Sequence, residues 1–258
     1  MAGVVLAKKG LYKPGVAEAP ARAGAAVGWC RVLFCELGGG AVDFAAARAN
    51  MVDCQLRTNK VKDARLIHAF ETVPRELFVP ERQRSIAYVD EDIQVGAGRY
   101  LIEPMVLARL LQAADISPED LVLEVGGASG YGTAVLSHLG ATIVSLESDK
   151  DLAAAAAEAQ ADVGIDNVLI VQGPLNQGYG KQAPYNVIVI NGAVGEIPEA
   201  ISDQLADGGR LVTVVREDAG PGRAVLLQRR GANISSRVLF DAATPLLPEF
   251  ARSPGFVF

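Results

Sequence analysis

The sequence predicts an α/β fold: a doubly wound, mostly parallel sheet that ends in an antiparallel hairpin. Three observations carry that expectation. Between residues 119 and 240, short β-branched runs alternate with helix-like stretches, the pattern of parallel strands joined by crossover helices. A glycine-rich segment, "VGGASGYG" at 125–132, links the first run to the first helical stretch. Two later runs, "RAVLLQRR" and "SSRVLF", flank Gly231 and Asn233 with no helix between them, which reads as a hairpin.

Composition narrows the function classes. The chain has 258 residues, half of them apolar, enough to bury one large core. Its 24 Lys and Arg face 30 Asp and Glu, a net charge of -6. An acidic chain without a long basic run is a poor candidate for non-specific nucleic-acid binding. No uninterrupted apolar stretch reaches the ~20 residues of a membrane helix. Cys30, Cys35 and Cys54 all lie before residue 55, and only His68 and His138 join them, so no metal-ligand spacing is present. The expectation is a metal-free protein of the cytoplasm.

The elements follow in order. Residues 1–41 are Ala- and Gly-rich, broken by Pro14 and Pro20, and carry five basic residues against two acidic ones. They read as a disordered or non-native extension. Residues 42–118 read as a helical lead-in and a loop ahead of the core. There Phe44, Ala47, Met51, Val52 and Leu56 recur at helical spacing, and Asp63 can cap a second helix that ends before Pro74. Residues 119–258 are expected to hold the core, with strands at "LVLEV", "TIVSLE", "VLIVQG", "YNVIVING" and "GRLVTVV", and a proline-broken tail. Phe256 and Phe258 at its end are expected to tuck back onto the body rather than serve a partner. His68 and His138 are read as structural.

The glycine-rich turn falls at the carboxyl edge of this sheet, where doubly wound folds bind ligands. Glycine there either satisfies a tight turn or lets a ligand lie against bare main chain. Glu124 and Glu147 stand at the ends of the first two strands, and a carboxylate at Glu147 can accept from both hydroxyls of a ribose. A dinucleotide site would use the same features. Yet G-G-A-S-G-Y-G is out of register with G-x-G-x-x-G, and a terminal hairpin is foreign to the usual dinucleotide fold. A nucleoside-type ligand, a dinucleotide and a purely structural turn all stay open on pattern alone.

Four stretches are more specific: "VPRELFVP" (73–80), "GAGRYLIEP" (96–104), "VLEVGGASGYGTAVLSHLG" (122–140) and "APYNVIVINGAVGEIPEAISDQLADGGRLVTVV" (183–215). In order and spacing they resemble the protein-L-isoaspartate O-methyltransferase family, across about residues 42–230. The resemblance implies a class I methyltransferase fold, S-adenosyl-L-methionine as cofactor, and protein or peptide substrates bearing isoaspartyl residues. It places Glu124, Gly126, Gly127, Ala128, Ser129 and Gly130 around the methionine part of the donor and Glu147 on its ribose. It also implies that the family segment begins near Val42, which a GTG start codon would specify.

The chain departs from the family pattern at named positions. The family loop G-x-G-x-T-I-S-x-P has a serine that acts in methyl transfer; here that position is Ile102, and the threonine position is Tyr100. Ala128 replaces the middle glycine of the donor loop. Pro174 stands where an acid contacts the adenine, and Asn186 replaces an aspartate. Arg99 and Tyr100, on the same loop, are the candidate catalytic residues, Arg99 by pairing with an acidic substrate. Glu103, before Pro104, reads as a loop-surface residue.

Overall fold

The computed structural model describes residues 42–216 and 220–250. The expectations for residues 1–41, Phe256 and Phe258 fall outside them. The lead-in begins with α1 (Phe44–Met51), continued by a π-helical turn that buries Val52 and Leu56. Asp63 then starts α2 (Ala64–Thr72), accepting from the Arg65 and Leu66 amides as a helix cap should. A two-stranded ribbon, β1 (Ile93–Gly96) and β2 (Arg99–Leu101), leads into α3 (Pro104–Ala114).

The core alternates as the sequence predicts: β3 (Leu121–Val125), α4 (Tyr131–Ser137), β4 (Thr142–Glu147), α5 (Lys150–Asp162), β5 (Val168–Gln172) and β6 (Tyr185–Val194). α6 (Glu199–Ser202) is a single turn, so β7 (Leu205–Val215) starts earlier than the glycine pair at 208–209 suggests. β8 (Gly222–Arg230) and β9 (Asn233–Ala242) form the expected hairpin. The strands run β5-β4-β3-β6-β7-β8-β9, parallel through β7 and antiparallel after it.

Both faces of this sheet are covered. Along β3, Val122 packs on the side of α2, α3 and α4, whereas Leu123 and Val125 pack on the opposite side with Leu175, Ile201 and Leu205. That is why the strands read as continuous apolar runs. Each such side chain, fully buried, contributes about 1.5–3 kcal/mol.

Chain direction reverses its order at β3, with β4 on one side and β6 on the other. The crevice beyond their carboxyl ends is the expected ligand site. After β9 the chain returns across this edge. Pro245 O accepts from the Ala193 amide, the Leu247 amide donates to Ala193 O, and Phe250 O accepts from the Gly195 amide.

Candidate functional site

The loop between β3 and α4 does two jobs with its glycines. Gly126 has a φ of +82°, and its bare Cα faces the crevice, where a methyl group would meet Leu247 Cδ1 at 3.3 Å. Gly127 faces the other way: a side chain there would overlap Ser145 Oγ and crowd Glu124. Gly130 packs on Ala156 and Gln160 of α5, and Gln160 Nε2 donates to its carbonyl at 2.7 Å. Of these three, then, Gly126 faces the crevice and the Leu247 side chain within it, whereas Gly127 and Gly130 face the body of the protein.

Glu124 is fully buried behind the loop. It accepts from Thr133 Oγ1, from Ser145 Oγ at 3.0 Å and from Asn191 Nδ2 at 3.0 Å. Burial pushes its pKa up, and these donors oppose the shift. Its work is positional: it fixes Asn191, at the end of β6, beside Gly126. Ser129 does not cap α4. Its hydroxyl donates to Phe78 O and ties the loop to the lead-in. Ala128 holds a left-handed φ of +49°, strained for a residue with a Cβ, and its amide donates to Glu147 Oε2 at 2.9 Å.

Glu147 ends β4 and turns toward the loop, 1 % exposed. Its Oε1 accepts from the Ser148 amide at 2.8 Å, the Asp149 amide at 3.0 Å, and both Nε and Nη2 of Arg99 at 3.1 Å. Arg99 also reaches Ser148 Oγ at 2.7 Å and Glu249 at 3.5 Å. The proposed ribose acid and the proposed substrate arginine are therefore partners of each other. Tyr100 is half-buried and pairs with Gln94 in the ribbon.

Ile102 is buried in the core, and its carbonyl accepts from the buried Arg75 Nη2 at 3.1 Å. Glu103 is more enclosed than a surface residue: burial, with Asp90 and Asp92 nearby, raises its pKa to about 7. Asn186 lies at the opposite end of the sheet, accepting from the Leu121 amide at 2.9 Å, a bond an aspartate would also make. Pro174 begins the turn after β5, and the next amide, Leu175, donates to Glu249 Oε2 at 2.8 Å. His68 and His138 are exposed, on α2 and at the end of α4.

Sequence reasoning missed Asn191, Gly192, Leu247 and Glu249. A Cβ at Gly192 would stand 2.6 Å from Leu247 Cγ, so Leu247 lies on bare main chain of the β3–α4 loop and of β6 at once. The only sequence signal was the glycine at the end of a central strand. Asn191 Oδ1, on the side chain that donates to Glu124, and Arg99 Nη1 are buried without a hydrogen-bond partner. A cleft of about 220 Å³ remains beside it, lined by Ala97, Arg99, Ser148, Asp149, Pro248 and Glu249, below the ~300–1,000 Å³ usual for a ligand site. A larger one, about 380 Å³, lies away from the loop, on the hairpin by Val215, Arg223 and Val238. Bare backbone, a strand-end acid and buried polar atoms without partners suit a ligand with an apolar body and polar ends. The residues fit a nucleoside-type donor.

The doubly wound sheet, its crevice at the order reversal and the antiparallel hairpin define a class I methyltransferase architecture. Comparison with known proteins narrows this. The protein-L-isoaspartate(D-aspartate) O-methyltransferase family matches residues 47–242. A protein-L-isoaspartate O-methyltransferase of Koribacter versatilis is 40 % identical over 172 residues, 67 % of this chain and 78 % of its own. The Synechococcus enzyme of that name is 41 % identical over 174 residues, 67 % and 71 % of the two chains.

Among solved structures, a protein-L-isoaspartate O-methyltransferase superposes with a TM-score of 0.68 at 25 % identity, covering 77 % of this chain and 65 % of that one. A Plasmodium falciparum structure, described as a beta-aspartate methyltransferase in complex with S-adenosyl-L-homocysteine, shares the fold. Its TM-score is 0.68 at 20 % identity, over 81 % of this chain and 100 % of that one. The chain belongs to the protein-L-isoaspartate(D-aspartate) O-methyltransferase family.

Proposed function

We propose that this chain is an S-adenosyl-L-methionine-dependent O-methyltransferase that esterifies the side-chain carboxylate of isoaspartyl residues in damaged proteins. The observation that carries this reading is the bare main chain at Gly126 and Gly192, which face one and the same space beyond β3 and in β6, with Glu147 tied to the same loop at Ala128. When bound, the donor supplies a methyl group on a sulfonium, ready for displacement by an oxygen nucleophile. Gly126, Asn191 and Gly192 would line its amino-acid part and Glu147 would hold its ribose hydroxyls.

The acceptor needs no general base, because a carboxylate with a pKa near 4 is already ionised at neutral pH. What the protein must do is place that oxygen and exclude water, and placement alone is worth many orders of magnitude. Arg99, once its partner Glu147 turns to the ribose, is the cation best placed to hold an acidic substrate. Arg75 fixes the loop that presents it, through the carbonyls of Ala87 at 2.8 Å and Ile102 at 3.1 Å. The expected site of action is the cytoplasm, with no nucleic-acid or membrane partner. Among the described residues no helix is long and apolar enough to cross a membrane.

A second reading, methyl transfer from the same donor to a different acceptor, is favoured by Ile102, which puts a buried alkyl group where the family has a hydroxyl. One assay separates them. Labelled donor and an isoaspartyl peptide should give base-labile incorporation that the aspartyl isomer does not. Incorporation into neither peptide at high enzyme concentration removes the first reading.

A further inference from the structure

We propose that residues 244–250 are a displaceable plug of the donor crevice, latched by Arg99 and Glu249, and that the donor binds only when the plug lifts. This rests on the donor reading above. The first ground is space. Leu247 sits against the bare main chain of both Gly126 and Gly192, and Pro248 against Gly98, where a Cβ would stand 2.7 Å from its Cγ. A ligand that used the same main chain would have to occupy the volume Leu247 fills.

The second ground is chemistry. Arg99 Nη1, on the guanidinium that holds Glu249, and Thr244 Oγ1, within the plug, are both buried without hydrogen-bond partners. Buried polar atoms are normally paired, so the plug is a poor complement to the groups around it. Glu147, the acid suited to a ribose, is meanwhile consumed by Arg99. Arg99 holds Glu249 as well, and Glu249 also accepts from the Leu175 amide in the turn after β5. Two carboxylates thus share one guanidinium, and lifting the plug removes one of them.

The third ground is attachment. The segment joins the sheet through one bridge, Ala193 to Leu246, and one further main-chain bond, from the Gly195 amide to Phe250 O, and it contains Pro245 and Pro248, which donate no amide hydrogen bond. It can leave without breaking a strand pair between β3 and β9. A closed resting state of this kind lowers apparent donor affinity by the fraction of molecules that are open.

Calorimetric titration of the full chain with S-adenosylhomocysteine tests this, on the natural protein, Leu247→Ala and Glu249→Gln. Both variants should bind roughly fivefold tighter or more, because each weakens only the closed state. In the natural protein, amide hydrogen exchange at Ala193, Leu247 and Phe250 should speed up in the complex. That second readout needs no variant to fold. Equal affinity in all three proteins, or stronger protection at Leu247 on binding, overturns the plug and leaves the donor reading standing. Absence of binding heat in every protein overturns both.

Discussion

Arg99 and Glu147 are joined inside the protein: Nε and Nη2 of the arginine both donate to Oε1 of the acid at 3.1 Å, with the side chains 5 % and 1 % exposed. At such burial, removing one partner costs more than the pair contributes, because it strands a charge. Glu147 keeps three main-chain donors, at Ala128, Ser148 and Asp149, so the cost falls at the low end. Arg99→Met should destabilise the ligand-free protein by about 3 kcal/mol. Urea unfolding checks this, and a change within experimental error would mean that the pair is open in solution.

Removing the acid asks a different question. If Glu147 holds the ribose, Glu147→Ala deletes charge-assisted hydrogen bonds worth about 1.5–3 kcal/mol. S-adenosylhomocysteine should then bind roughly ten- to a hundredfold more weakly by calorimetry. Unchanged affinity in a folded variant would show that the sugar lies elsewhere.

The departure at Ile102 now has a structural meaning. Its side chain is 2 % exposed and belongs to the cluster containing Phe70, Val106 and Leu110. Ile102→Ser would remove buried methylenes and bury a hydroxyl, costing roughly 2–4 kcal/mol. It should lower the melting temperature without raising methyl transfer to an isoaspartyl peptide. A gain in transfer would show that the position faces the substrate.

The order of strands, the glycine loop and the terminal hairpin were legible because each leaves a local signal: β-branched runs, a Gly cluster between strand and helix, and Gly231 between two strand-like runs with no helix between them. Asp63 as a cap was legible for the same reason. α3 was not read, although Pro104 at its first turn and the 3–4 spacing of Val106, Leu107, Leu110 and Leu111 mark it in retrospect. The site was harder. Gly126, Gly127 and Gly130 are alike in sequence, and only the fold says that one faces the crevice while the others face Ser145 and α5. Leu247 and Glu249 reach the site from a segment over a hundred residues after the loop, and no local pattern announces such a contact. Arg99 was singled out for its charge, but its partner 48 residues on depends on how the ribbon folds over β4.

Glu103 offers a pH test independent of any ligand. Burial is the largest cause of its rise from the ordinary 4.5 to about 7, and the neighbouring Asp90 and Asp92 add to it. A carboxyl whose folded pKa is raised binds its proton more tightly in the native state, so ionisation opposes folding. Its penalty is absent well below pH 4.5, grows as pH rises toward 7, and is complete above that. Glu103→Gln should therefore melt higher than the natural protein at pH 8, and the difference should vanish near pH 4. Asp90 and Asp92 titrate in both proteins and cancel from the comparison to first order. An equal difference at the two pH values would mean that the substitution acts through packing, and that Glu103 titrates like an ordinary surface acid.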